Sequence, residues 1–263
     1  MKIYTKKRIL LDLLEGNVLL SDKFNLATIN QAVTTKIHKH SPESWVRINY
    51  KTYPRLEKIF LTDKFPKRKV DLIRVLSERR SIRNFTGLPI SITNLAYLLR
   101  YSCGLVNREV DPNISLRYYP SAGARYPLEI YALVLNDAYR LKSGVYHYNV
   151  KDHCLETLLK GNFENWLLKT TGKFKPLTKS SVIFIITAVL DRTRVKYGDR
   201  GYRYILLEAG HVAQNLLLLA TELKMGSLAV GGYIDSNISE LLNLELVKEV
   251  PLYMIAVGEY AKT

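Results

Sequence analysis

The chain has 263 residues, 47% hydrophobic and 24% charged, a balance that suits a globular protein with a sizeable core and excludes disorder. Basic residues outnumber acidic ones 39 to 24, for a net charge of +15. The longest apolar run, Val182 to Leu190, is strand-sized and excludes a membrane-spanning helix. Cys103 and Cys154 make no disulfide framework, and the N-terminus lacks the apolar core and cleavage site of a secretory signal, so a reduced, cytoplasmic setting is expected.

The excess charge is uneven: residues 1–80 hold 18 basic and 8 acidic side chains, residues 81–263 hold 21 and 16. Residues 1–70 therefore read as a basic N-terminal extension ahead of a domain over 71–263. Within the extension, Lys7 to Leu14 suits a short amphipathic helix, and His38 to Pro42 a loop. Asp63 to Lys69 reads as a basic connector, and Val70, Ile73 and Leu76 give helical spacing over Val70 to Arg80. Ser91 or Thr93 can cap a helix reaching Ser102, with Gly104 as its stop. Leu128 to Leu135 is rich in strand formers and pairs as a hairpin with Val145 to Tyr148, across the turn Lys142-Ser143-Gly144. Ser181 to Val189 is apolar on both faces, as in a buried central strand. Gly201 to Met225 is the longest expected helix, apolar almost all round, which suits a large core or a subunit interface; Gly226 ends it. A strand near Leu228 to Val230, the Gly231-Gly232 turn, a helix from Ser236 to Leu242 and a last strand over Leu252 to Val257 follow. Helices and strands mix without strict alternation, so the fold class is α+β.

Absent motifs narrow the chemistry. No G-x-G-x-x-G, P-loop, H-E-x-x-H, C-x-x-C or G-x-S-x-G occurs, which argues against dinucleotide, P-loop, zinc and serine-hydrolase sites; no metal is expected. The basic charge can attract a polyanion, yet no recognition helix or zinc finger supports nucleic acid.

Three segments carry chemistry. Arg79-Arg80-Ser81-Ile82-Arg83-Asn84-Phe85 offers guanidiniums and a hydroxyl suited to a phosphate monoester; alone it equally fits a basic helix end at the surface. Tyr119-Pro120-Ser121-Ala122-Gly123-Ala124-Arg125-Tyr126-Pro127 makes a stiff, thin loop whose amides can approach a flat ligand, or else an ordinary tight connection. Lys196-Tyr197-Gly198-Asp199-Arg200-Gly201-Tyr202-Arg203 leads into the long helix with Glu208, His211, Gln214 and Asn215. Adjacent residues on a strand point apart, so Lys196 and Tyr197 can reach one site only from a turn or helix start.

In order and spacing these segments, with Gly231-Gly232-Tyr233, resemble the nitroreductase superfamily of FMN enzymes. More narrowly they resemble the azoline dehydrogenases, the SagB- or ThcOx-type oxidases of the microcin B-like group. The pieces that carry the resemblance are RRSIRNF, YPSAGARYPLEIY, GVYHYN, KYGDRGYR, LLEAGHVAQN and VGGY, from Arg79 to Tyr260, with YKTYPRLEKIFL ahead of them. The resemblance implies a mixed, mostly antiparallel sheet flanked by helices, in an intertwined homodimer whose subunits share each flavin. It implies FMN bound by Arg79, Arg80, Ser81 and Arg83 at the phosphate and ribityl chain, and by Pro120, Ser121, Ala122 and Gly123 along the ring. Gln214 and Asn215 supply polar contacts, and Gly231 and Gly232 supply amides. Lys196 and Tyr197 are implied as the catalytic pair, either one the base, with a pKa lowered for work near neutrality. Lys262 is the basic residue left near the C-terminus for a further phosphate contact. The implied reaction oxidises thiazoline or oxazoline rings of a ribosomally made peptide, with a leader peptide and a cyclodehydratase as expected partners. Two other readings compete: a general NAD(P)H-dependent FMN nitro- or quinone reductase, and a non-catalytic basic module that binds protein or nucleic acid.

Overall fold

A computed structural model describes residues 20–28, 50–106 and 116–261. The helix expected over Lys7 to Leu14, the loop at His38 to Pro42 and Lys262 lie outside those residues. The described elements are α1 (Leu20–Ala27), β1 (Lys58–Phe60), α2 (Leu72–Glu78), α3 (Ile92–Cys103), β2 (Leu128–Val134), β3 (Gly144–Asn149), β4 (Cys154–Lys160), α4 (Glu164–Thr170), β5 (Val182–Val189), α5 (Asp191–Tyr197), α6 (Arg200–Glu222), β6 (Gly226–Val230), α7 (Asp235–Leu242) and β7 (Glu249–Gly258). The strands form one seven-stranded sheet in the order β1-β4-β3-β2-β5-β7-β6.

Every pairing between these strands is antiparallel. A parallel contact enters through the isolated bridge between Ser81 and Ser227. The sheet is thus mostly antiparallel, as expected. β5 is buried almost end to end between β2 and β7, which accounts for its apolar residues on both faces. β2 and β3 form the anticipated hairpin, with Val134 opposite Gly144.

The side-chain period of two sends alternate strand residues into two cores. Ile130, Ala132, Phe184, Ile186, Ile255 and Val257 face α3 and α6. Tyr131, Leu133, Ile183, Ile185, Met254 and Ala256 face α4 and α7. α3 is capped as its sequence indicates: Ser91 accepts from the Asn94 N–H, and Gly104 ends the helix.

Three elements depart from the sequence reading. α2 spans Leu72–Glu78 rather than Val70 to Arg80, because Asp71 caps it; the residues with helical spacing, Val70, Ile73 and Leu76, are exposed with Leu72, and Val75 is the buried one. α6 closes at Glu222 rather than Met225, because Lys224 turns left-handed and Gly226 already belongs to β6. β1 extends the sheet from a segment set apart as an extension, and Lys51 of that segment forms an ion pair with Glu249 of β7 at 2.6 Å. No described helix is long and apolar enough to cross a membrane.

Candidate active site

α5 is a short helix ended by Gly198, whose φ of 54° and ψ of −142° suit glycine alone. Lys196 and Tyr197 are its last two residues. On a helix, neighbours are set about 100° apart, so both side chains can reach the same side. They do: a Cβ added at Gly123 would lie 2.6 Å from Tyr197 Oη and 2.9 Å from Lys196 Nζ. Absence of a side chain at Gly123 therefore lets the amine and the phenol close on the backbone of the Pro120–Arg125 loop.

That loop is strained. Gly123, Ala124 and Tyr126 take φ values of 61°, 52° and 46°, and left-handed non-glycine residues cost on the order of 1–3 kcal/mol each. Its shape is held from several sides. Ser121 Oγ accepts from the Tyr126 N–H at 2.8 Å, and Tyr126 Oη accepts from the Arg117 N–H at 3.1 Å. Arg125 donates to the Arg192 carbonyl at 2.6 Å, while Arg192 pairs with Glu129 at 2.6 Å. From α6, Glu208 Oε1 accepts from the Ala122 N–H at 3.0 Å.

The electrostatics around the pair differ from the sequence expectation. Burial, with Tyr204 packed edge-on at 5.1 Å and Glu208 nearby, pushes the Tyr197 phenol above its ordinary value; Arg125 opposes this. The expected lowering of that phenol is not found. Burial also pushes the Glu208 carboxyl up to about 7, against the Ala122 amide, the Ser121 hydroxyl and Arg117. Behind the loop, burial disfavours the Glu129 charge, but Arg192 and His147 overcome it and hold the carboxyl at about 2. His147 bridges Glu129 and Glu156 at 2.9 and 2.8 Å, and these carboxylates, outweighing burial, raise its proton affinity.

The second group of expected residues lies along the sheet edge. The Ile82 N–H donates to the Ser227 carbonyl at 2.9 Å, which lays Arg79–Arg83 beside β6. Arg79 is half-buried; Arg80, Ser81 and Arg83 are exposed. Arg80 donates to the carbonyls of Ser77 and Arg79, and among the described residues none of the three arginines has a carboxylate within ion-pair distance. A cleft of about 540 Å³ opens here, lined by Arg74, Glu78, Arg80, Ile82, Thr221, Lys224, Met225 and Tyr260; Arg74 is paired with Glu78 at 2.7 Å, which leaves Arg80 as its guanidinium without a carboxylate. β6 leads directly into Gly231 and Gly232, both exposed, with open space where a Cβ would stand. The guanidiniums of Arg79, Arg80 and Arg83, the Ser81 hydroxyl and the bare amides of Gly231 and Gly232 fit a flat ligand that carries a phosphate, with Glu78 at the cleft's Arg74 side.

Gln214 is exposed on α6, whereas the Asn215 amide donates to the carbonyls of Ser102 and Tyr118 at 3.2 and 3.3 Å. Asn215 thus ties α6 to α3 and to the segment before the loop. Arg200 and Arg203 of the same motif hold α1: Arg200 donates to the Thr28 carbonyl at 2.7 Å and Arg203 to Thr28 Oγ1 at 2.6 Å. Sequence reasoning gave no role to Glu208, Arg117, Arg192 or Glu129. A signal existed for Glu208, a carboxylate on the helix face of Ile205, Val212 and Leu216.

The chain belongs to the nitroreductase family, whose model matches residues 76–259. It is 36% identical over 189 residues to a protein of Methanocaldococcus jannaschii provisionally named a nitroreductase, a match covering 72% of this chain and 91% of that one. It is 29% identical over 153 residues to the microcin B17-processing protein McbC of Escherichia coli, covering 57% of this chain and 56% of that one. Among solved structures, a chain of the E. coli microcin synthetase McbBCD complex, with truncated pro-MccB17 bound, superposes with a TM-score of 0.61. That match is 22% identical and covers 98% of this chain and 96% of the other, a likeness of fold.

Proposed function

We propose that this chain is an FMN-dependent dehydrogenase that oxidises thiazoline or oxazoline rings of a ribosomally made peptide to thiazoles or oxazoles. The observation that carries the reading is the convergence of Lys196 Nζ and Tyr197 Oη on Gly123. Family membership and the likeness to the microcin-processing protein support it. Arg79, Arg80, Ser81 and Arg83 bind the cofactor's phosphate end. Pro120 to Gly123 lie along its ring, Gly231 and Gly232 direct amides at it, and Gln214 adds a polar contact. When bound, FMN supplies the two-electron acceptor.

The remaining task is a proton. The ring hydrogen next to the carbonyl and imine is acidified by both groups, and a base near the loop must take it. The raised phenol leaves Tyr197 protonated at neutral pH, where its O–H can donate a hydrogen bond to the ring. Lys196 Nζ is poised at the same point, and either member of the pair can serve as the base. The loop, held by Glu208 and Ser121, keeps both groups within contact distance of the reacting ring.

The site is completed in a symmetric homodimer. Leu72, Ile73, Leu206 and Leu207 are exposed on α2 and α6, and burying them between two copies removes that apolar surface from water. The enzyme works in the cytoplasm beside a cyclodehydratase that makes the azoline ring. α1, followed by Thr28, is held by Arg200 and Arg203 at the start of α6, and the basic residues over 1–70 can guide the leader of the substrate peptide. The test is azoline oxidation by Lys196→Ala and Tyr197→Phe proteins loaded with FMN. Both are expected to lose at least 10²-fold in turnover. If both retain normal rates with FMN bound, the assignment is wrong. Nicotinamide oxidation with a nitroaromatic in place of azoline turnover would instead identify a general reductase.

A further inference from the structure

Glu208 is a buried carboxyl without a counter-charge. It is 2% exposed, and among the described residues no cation lies within ion-pair distance of it. One oxygen accepts from the Ala122 N–H and the Ser121 hydroxyl lies beside the carboxyl, while Oε2 is buried without a well-aligned hydrogen bond. Such a group costs stability unless it does something else, because buried charges are normally paired. Its placement says what. It sits under Ser121–Ala122, one residue from Gly123, where Lys196 and Tyr197 converge.

The titratable groups around it come from three sides. Arg117 and Tyr119 face it from the segment before the loop, and Tyr197 from α5. Along α6 itself, Tyr204 and His211 lie one turn to either side. The Glu208 charge makes the Tyr197 phenol harder to ionise. A negative charge in a water-poor site acts over such distances with little screening.

We propose that Glu208 is a positioning residue that seats the Ser121–Gly123 loop through the Ala122 amide and, through its own charge, sets how readily the Tyr197 phenol beside Lys196 gives up its proton. This deepens the azoline dehydrogenase reading and rests on it for the activity arm of the test. Neutral Glu208 holds the loop and eases loss of the Tyr197 proton. Ionised Glu208 holds the loop equally well and keeps the proton on Tyr197.

Glu208→Gln keeps an oxygen for the Ala122 N–H and removes the charge; Glu208→Ala removes both. In pH–rate profiles of azoline oxidation, the rising limb of the Gln variant moves to lower pH by half a unit or more, on the order expected for one nearby charge. The Ala variant is slower at every pH, and Gln restores most of that loss. A limb that does not move in Gln overturns the charge role, and an Ala variant as fast as Gln overturns the seating role. A second arm needs no substrate. The carboxyl binds its proton more tightly folded than unfolded, so it destabilises the wild type as pH rises from about 4.5 through 7. The melting temperature of Glu208→Gln relative to wild type should therefore climb by about 5 °C or more between pH 5 and pH 8. In unmutated protein, carboxyl-labelled NMR should find one glutamate titrating near neutrality. A flat difference, with every glutamate titrating in the ordinary range, overturns the proposal whatever the substrate proves to be. Failure of the wild type to oxidise azolines while this second arm holds would refute the dehydrogenase reading alone.

Discussion

Gly123→Ala tests the geometry of the site at its narrowest point. The added Cβ would stand 2.6 Å from Tyr197 Oη and 2.9 Å from Lys196 Nζ. Ordinary contact needs about 3.5 Å, so the phenol must retreat by about 0.9 Å and the amine by about 0.6 Å. Both are the far ends of flexible side chains, so the protein can yield there at little cost. The backbone cannot yield as easily: φ at position 123 is 61°, and alanine there costs about 1–2 kcal/mol. In a domain of this size that is a fall of roughly 2–8 °C in Tm. Misplacing catalytic groups by close to 1 Å can cost about 10²-fold in turnover. Gly87→Ala is the control. Its φ of 81° imposes the same kind of strain, yet its Cβ meets only Lys179 Cδ at 3.5 Å. Thermal melts and azoline turnover of the two variants should agree in the first and differ by about 10²-fold in the second. Equal activity in both would refute a role for the contact between the loop and the pair.

Other outcomes follow from the same structure. Arg80→Ala and Arg83→Ala should each weaken FMN binding by roughly ten- to a hundred-fold, the worth of one charge-assisted bond, read by flavin fluorescence titration. Glu129→Gln leaves buried Arg192 without its carboxylate and should cost about 3–5 kcal/mol in urea unfolding at pH 7. Because folding lowers the Glu129 pKa to about 2, its stabilising contribution is full above the ordinary carboxylate range and lost as pH falls from about 4.5 through 2. The Gln penalty should shrink over that window. Ile73→Asp places a charge on the exposed apolar face of α2 and should convert a dimer to a monomer in analytical ultracentrifugation; a wild type that is already monomeric with FMN bound would contradict the shared site.

Much of the fold is legible because local patterns and tertiary packing agree. β5 carries apolar residues on both faces and is buried on both. α3 has its cap and its stop written at Ser91 and Gly104. Legibility ends where partners distant in sequence decide. The apolar spacing in α2 marks a face turned to solvent in the isolated chain, since the core takes only Val75. The apolar run of α6 continues past its end because Met225 is buried beyond the left-handed turn at Lys224. α5 and β4 are short segments whose polar residues mask any period: buried Arg192 is paired with Glu129, and buried Glu156 with His147. In the site, the pairing of Lys196 with Tyr197 could be read as conditional on a turn or helix end, and a helix end is what brings them together. The raised phenol could not be read, because burial and Tyr204 cause it. Nor could the engagement of Asn215 by Ser102 and Tyr118, which depends on how α6 packs against α3.

The most direct test of the central claim is mass spectrometry of an azoline-bearing peptide incubated with the FMN-loaded protein and its cyclodehydratase. Each ring should lose two hydrogens with the wild-type chain and none with a Lys196→Ala/Tyr197→Phe double variant that still binds FMN. An unchanged peptide mass with the wild type, or full conversion by the double variant, would contradict the account.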